Sequence, residues 1–173
     1  MDAFFEILKY ILPAIIVFLT SFYFLKKFLD NEDKKRMASI KGEGHKFVTP
    51  IRFQAYERMI IFLDRISPES LLMRVHKPGM SARHFQTELL QSIRTEYEHN
   101  ISQQIYVSNA GWDLVKRSKE ETIKIINIAS AKVNDNASGL DLSKAIFNII
   151  SEIGKIPTQM AIDFLKKEIR HSF

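Results

Sequence analysis

The chain contains no cysteine among its 173 residues. This absence excludes a disulfide framework, a zinc site built from thiolates and a cysteine nucleophile. The sequence also lacks the G-x-S-x-G motif of many serine hydrolases, and Gly42-Glu43-Gly44 lacks the Lys-Ser/Thr pair of a phosphate-binding loop. We therefore predict that the protein is not an enzyme and that it binds no cofactor.

A strong basic charge is also absent from the larger part of the chain, although the net charge is +5. Residues 26–46 carry a net charge of +3, and the much longer segment 47–173 carries only +3, with acidic and basic residues interspersed. A nucleic-acid-binding domain normally concentrates lysine and arginine in a patch or stripe. The charge pattern therefore argues against nucleic acid as a partner.

An apolar run occupies the first 25 residues. The segment from Ala3 to Leu25 would cover the roughly 30 Å of a hydrocarbon core at about 1.5 Å per residue, and no charge occurs after Lys9 within it. The acidic residues at its start are unlike the basic beginning of a cleaved secretory signal. The pattern predicts an uncleaved transmembrane anchor over residues 1–29, rather than a surface-lying or buried core helix, with membrane lipid as a partner.

Basic residues near this run predict its orientation. Seven lysine or arginine residues lie between Lys26 and Lys46, whereas only Lys9 lies on the N-terminal side. Because basic residues that flank a span tend to stay in the cytoplasm, we predict that the N-terminus is outside and that the rest of the chain is cytoplasmic. Residues 30–49 mix both charge signs with two glycines and are predicted to form a charged linker.

The remaining segment, residues 50–173, has helical periodicity and no sustained alternation of apolar and polar residues. Proline at first helical positions, serine caps and a glycine stop divide it into helices. We predict helices over residues 50–66, 68–75, 82–104, 109–133, 141–153 and 157–171. The predicted fold class is therefore all-α, with one N-terminal transmembrane helix followed by a cytoplasmic helical domain of five or six helices.

Three side chains are candidates for an interaction or structural role. Asn100 and Gln104 project near the centre of an apolar helix face, where a buried amide needs hydrogen-bond partners, and the backbone of the following bend is the expected partner. Trp112 is the sole tryptophan and lies in a first helical turn. We interpret Trp112 as a core residue beneath that bend, with an exposed binding position as the alternative.

One pattern suited to metal ligands occurs, a Glu-x-x-His pair formed by Glu96 and His99. Helical di-metal proteins use this pair twice, together with two further glutamates from other helices. The pair occurs once in this sequence. We therefore predict an exposed or boundary pair and no metal site.

Two blocks carry a resemblance to a known family: FQAYERMIIFLDRISPESLLMRV at 53–75 and ARHFQTELLQSIRTEYEHNISQQIYVSNAGWDLVK at 82–116. They resemble an uncharacterised family of small, single-span membrane-anchored proteins of Bacteroidota. The resemblance implies a location in the inner, cytoplasmic membrane of a bacterium. It implies no site, because the family has no assigned catalytic residues.

These patterns lead to an expected function. We expect a bitopic inner-membrane protein whose helical domain is a scaffold, assembly factor or accessory subunit of a membrane protein complex. The helices at 50–66 and 109–133 carry more apolar positions than a small bundle easily buries, so we expect association through one of them, most simply as a homo-oligomer. The alternative is a membrane-tethered enzyme or small-ligand-binding module with a site of scattered polar residues such as Asn100, Gln104 and Glu96.

Overall fold

A computed structural model describes residues 2–134 and 136–172 of the chain. Over these residues the protein is helical and contains no β-strand beyond one isolated bridge between Ser81 and Ser138. The prediction of an all-α chain is therefore confirmed for the described residues. The elements are α1 (Asp2–Arg65), α2 (Pro68–Val75), α3 (Ala82–Asn100), a 3₁₀ helix (Ile101–Ile105), α4 (Asn109–Lys132), α5 (Gly139–Ile153) and α6 (Pro157–Ser172).

The predicted transmembrane helix is not supported. Within residues 2–134 and 136–172, no helix has both the length and the apolar character that crossing a membrane requires. The prediction of an anchor over residues 1–29 is therefore wrong, and so are the single-pass inner-membrane location and the orientation that depended on it. The physical reason lies in the length of the uncharged run, which ends at Lys9 and Lys26 and covers only about 24 Å of helix against the roughly 30 Å of a hydrocarbon core.

The chain divides into two compact units, Met1–Thr49 and Pro50–Phe173. In the first unit the backbone described is α-helical, and the side chains from Ile15 to Glu32 are all exposed. Residues 30–49, predicted as a charged linker, are helical, and the helix predicted to begin at Pro50 is the C-terminal part of α1.

The second unit has one hydrophobic core. The C-terminal part of α1 contributes five fully or almost fully buried side chains, because its apolar residues recur at three- and four-residue intervals, and Ile66 directly after it adds a sixth. Helix α4 packs against α3, α5 and α6, and α3 also packs against α2 and α5. The buried residues that α1 supplies are Ala55, Tyr56, Met59, Phe62 and Leu63.

Serine caps set where three of the helices begin. Ser81, Ser108 and Ser138 accept hydrogen bonds from backbone N–H groups in the first turns of α3, α4 and α5. At α5 the cap is reciprocal, because the Asp141 carboxylate also accepts a hydrogen bond from the backbone N–H of Ser138. With Ser138 as the cap, the helix begins at Gly139, two residues before the predicted start at residue 141. Helix α3 ends at Asn100 rather than at the predicted residue 104, because the chain tightens into the 3₁₀ helix.

Candidate functional site

The indole of Trp112 lies in the core of the second unit, with 8% of the residue exposed. Its ring stacks on the ring of Tyr97 from α3 with a centroid distance of 5.7 Å and an interplanar angle of 24°. Tyr97 in turn contacts Phe62 of α1 at a centroid distance of 6.0 Å. These three rings form an aromatic column that joins α1, α3 and α4, and offset ring pairs of this kind stabilise a core beyond their buried area.

Positive charge lies beside this aromatic column. The Lys119 ammonium is 4.1 Å from the centroid of the Tyr97 ring, within the range of a cation–π interaction. Burial raises the pKa of the Tyr97 hydroxyl, Lys116 opposes this shift and Glu120 adds to it. Lys116 pairs with Asp113 at 2.8 Å, which raises the pKa of the lysine and lowers the pKa of the aspartate. Charged side chains, among them the ion pair of Lys116 and Asp113, therefore lie beside the aromatic column.

Glu96, which directly precedes Tyr97 in α3, is the centre of a small cluster of charged side chains. Its carboxylate accepts a hydrogen bond of 2.8 Å from Nε of Arg65 and lies 3.7 Å from Arg74. Arg74 also donates to the backbone carbonyl of Arg65 at 3.1 Å. Glu96 therefore joins α1, α2 and α3 electrostatically. Among the residues described, no group of three or more side chains is arranged to hold a metal ion.

The two candidate amides have different surroundings. The half-buried Asn100 donates from Nδ2 to the carbonyl oxygen of Glu96 at 2.8 Å, one turn back on its own helix. Its partner is therefore in α3 and not in the bend where we predicted it. Gln104 lies exposed on the 3₁₀ helix. The early end of α3 explains both positions, because residues beyond Asn100 no longer follow the helical face from which the prediction was made.

The bend between α3 and α4 is held by α1 through two contacts that the sequence did not indicate. Nε of Arg52 donates to the carbonyl of Tyr106, and the backbone N–H of Ser108 donates to the hydroxyl of Tyr56, each at 3.4 Å. The periodicity of residues 50–66 predicts only that Tyr56 lies on an apolar face of its helix. A tyrosine on a face predicted to be buried was the available signal for this hydrogen bond, since a buried tyrosine hydroxyl usually has a partner.

A surface groove of about 580 Å³ lies where the turn before α3 meets the loop before α5. Two backbone hydrogen bonds of 2.8 Å connect these two segments, from Ala82 N to the Ala137 carbonyl and from Gly139 N to the Met80 carbonyl. The hydroxyls of Ser81 and Ser138 on its wall already serve as helix caps. The groove is thus explained as the join between two helix starts.

The exposed apolar residues of α6 form a distinct surface. Ile156 immediately precedes the helix, and Met160 and Phe164 follow at four-residue steps; the three residues are 42%, 54% and 36% exposed. The apolar periodicity of residues 157–171 predicts that Met160 and Phe164 face the core, and this prediction is wrong. Helix α6 instead buries the neighbouring arc that includes Ala161 and Leu165, which packs toward α4.

Four exposed basic side chains follow the three apolar residues along α6. We name the whole set, residues 156–171 on the outer side of α6, the α6 surface. Asp163 also lies there and accepts a hydrogen bond of 2.9 Å from Gln159. The α6 surface therefore changes from apolar to basic along its length. Its basic members are Lys166, Lys167, Arg170 and His171.

The described residues thus define an all-helical protein in which Glu96 and Asn100 make internal contacts and exposed apolar residues lie on particular helices. Over residues 2–172 the sequence matches the family described as Family of unknown function (DUF7935), and the chain belongs to that family. No curated protein and no solved structure gives a significant match.

Proposed function

We propose that this protein works by binding another protein, as a scaffold, assembly factor or accessory subunit. The observation that carries the proposal is the α6 surface, where Ile156, Met160 and Phe164 lie exposed along one side of a helix whose opposite side is packed in the core. Exposed apolar groups on one face commonly mark a protein interface.

The chemistry of the α6 surface favours a particular kind of partner. Apolar side chains four residues apart form a ridge that fits between the side chains of a second helix. The basic end, with Lys167 and Arg170, would attract carboxylates and repel other cations. We therefore propose an amphipathic, acidic helix of another protein as the partner.

The proposed interface on α6 differs from the interface that we predicted from the sequence. The sequence pointed to the helices at 50–66 and 109–133, but most of their apolar side chains are buried, which leaves residues such as Ile61 and Ile128 exposed at separate positions. The alternative of an enzyme or ligand-binding module receives less support, because Glu96 and Asn100 are engaged in contacts between and within helices. The source of the family in Bacteroidota stays a prediction from sequence resemblance.

Site-specific photo-crosslinking of the full chain in its own cells tests the proposal. A photoreactive residue at Met160 should form a crosslink to one defined protein, and mass spectrometry should locate that crosslink in an acidic amphipathic helix. The matched control is the same photoreactive residue at the exposed Glu98 on α3, which should not form that crosslink.

Two further variants test the chemistry. Met160→Asp should abolish an equivalent crosslink placed at Phe164, and the double variant Lys167→Glu, Arg170→Glu should reduce its yield several-fold. Unchanged far-UV circular dichroism would establish that both variants fold. The proposal fails if the Glu98 position gives the same product, or if neither variant changes the yield.

A further inference from the structure

His171 lies exposed at the basic end of the α6 surface. A cavity of about 290 Å³ opens beside it, lined by Phe164, Lys167, Glu168 and His171. The cavity therefore lies where the exposed apolar residues of α6 give way to the basic ones. A helix seated on the α6 surface would place its own side chains in this cavity, next to the imidazole.

The hydrogen bond that His171 makes decides which ring nitrogen gains or loses a proton. Nδ1 lies 2.8 Å from the carbonyl oxygen of Lys167, one turn back on α6. Because a carbonyl oxygen can only accept, Nδ1 carries the N–H of the neutral ring, and Nε2 then carries a lone pair. A carboxylate that approaches Nε2 meets a lone pair on the neutral ring but an N–H donor on the charged ring.

The charges along α6 act on this ring in opposite directions. His171 lies in the last turn of the helix, whose carbonyl groups favour a positive charge. Lys167 and Arg170 in the same part of the helix disfavour a further positive charge. Carboxylates of an acidic partner would offset these two cations and pair with the imidazolium, so they favour the charged ring.

Helix α4 runs in the opposite direction beside α6. Ser118 bonds to Pro157 at the start of α6, and Gly111, earlier in α4, packs against Leu165 and Glu168 near the end of α6. The start of α4 and the bend before it therefore lie at the end of α6 that carries His171.

The charged groups that these neighbouring elements bring to this end are engaged within the chain. Asp113 and Lys116, in the first turns of α4, pair with each other at 2.8 Å. Arg52 of α1 donates to the carbonyl of Tyr106 in the bend. These groups, like Glu168 of α6 itself, are present whether or not a partner is bound. A carboxylate that arrives with the partner is therefore what changes the surroundings of the imidazole.

We propose that His171 makes binding at the α6 surface depend on pH, with tighter binding at acidic pH. The inference rests on the proposed function, because it needs an acidic partner. Histidine is the side chain whose charge normally changes between about pH 5 and pH 8. Since binding favours the charged ring, the complex takes up a proton, and affinity falls as the pH rises through this window. An exposed ion pair supports roughly a two- to fivefold change in affinity.

Photo-crosslinking from Met160 of the full chain, in permeabilised cells equilibrated at about pH 6 and about pH 8, tests the proposal. The yield should be several-fold higher at the lower pH, because the partner's carboxylates stay ionised at both values. His171→Gln, which cannot become charged, should give a low yield at both. His171→Arg, which is always charged, should give a high yield at both and corrects for any effect of pH on the crosslinking chemistry. The matched control His99→Gln, at an exposed position of α3, should keep the natural pH dependence.

Two results would overturn the role of His171 while leaving the proposed function in place: an equal yield at both pH values, or the same pH dependence in His171→Gln as in the natural chain. The absence of any crosslink from Met160 at either pH would remove the proposed function and this inference together. Far-UV circular dichroism of each variant at both pH values should be unchanged, because His171 and His99 are exposed.

Discussion

The ring of Tyr97 stacks on the indole of Trp112, and this pair joins α3 to α4. The ammonium of Lys119 lies 4.1 Å from the centroid of the Tyr97 ring, and Phe62 of α1 contacts the same tyrosine. One tyrosine therefore contacts residues from two other helices and a charged group near the surface. Its half-buried position explains why it combines core packing with a perturbed pKa.

Replacement of the indole should destabilise the second unit. We expect Trp112→Ala to lower the free energy of unfolding by about 3–5 kcal/mol, because it removes a large buried side chain and leaves a cavity beside Tyr97. Trp112→Phe keeps a ring and should cost clearly less. Urea unfolding followed by far-UV circular dichroism measures both. A loss no larger for alanine than for phenylalanine would contradict the packing role.

The hydroxyl of Ser118 should be needed to hold α6 on α4. This buried group donates to the carbonyl oxygen of Pro157 at 3.0 Å, at the start of α6. Ser118→Ala removes this buried hydrogen bond while the Pro157 carbonyl keeps its donor within α6, so we expect a loss of about 0.5–1.5 kcal/mol in urea unfolding. The control is Ser151→Ala at an exposed position, which should change stability by less than about 0.5 kcal/mol. Equal effects of the two substitutions would refute the role of the hydrogen bond.

Stability should fall at alkaline pH in a way that depends on Tyr97. Because burial raises its pKa, the folded chain retains the phenolic proton to a higher pH than the unfolded chain. The stabilisation is complete below about pH 10 and is lost as the pH rises through the raised pKa. Tyr97→Phe should therefore lose less stability than the natural chain over this window. Urea midpoints at several alkaline pH values provide the measurement, and parallel curves would rule out the assignment.

At acidic pH the cap of α5 should weaken. Hydrogen bonds from the hydroxyl and the backbone N–H of Ser138 lower the pKa of Asp141, which means that folding favours its charged form. Its contribution is present above about pH 4 and is lost as the pH falls through the lowered pKa. Asp141→Asn should therefore make stability less dependent on pH in that window. Thermal unfolding between neutral and acidic pH tests this, and an unchanged dependence would count against the cap.

Several features of the fold could be predicted because their causes are local. A serine that accepts a hydrogen bond from a backbone N–H three residues later acts within one turn, and the starts of α3 and α4 were predicted correctly from Ser81 and Ser108. The extent of α3 could not be predicted in the same way. Its apolar pattern continues beyond Asn100, but the chain tightens into the 3₁₀ helix, and the bend that follows is bonded to Arg52 and Tyr56 of α1.

The polar residues illustrate the same limit. The sequence placed Asn100 and Gln104 on one face, but the 3₁₀ helix separates them, so that one bonds within α3 and the other lies exposed. No pattern in the sequence indicated that Glu96 would lie beside Arg65 and Arg74. Ion pairs between residues far apart in the chain depend on how the helices pack, which no local spacing encodes.

The sequence by itself determined that the described chain is helical and determined most helix boundaries, because caps, prolines and apolar periodicity act over a few residues. Only the tertiary structure decided which arc of a helix is buried. On α6, the arc with Met160 and Phe164 and the arc with Ala161 and Leu165 are both apolar, and the position of α4 selected the second. The physical reason is that burial requires a neighbour, and that neighbour comes from a distant part of the chain.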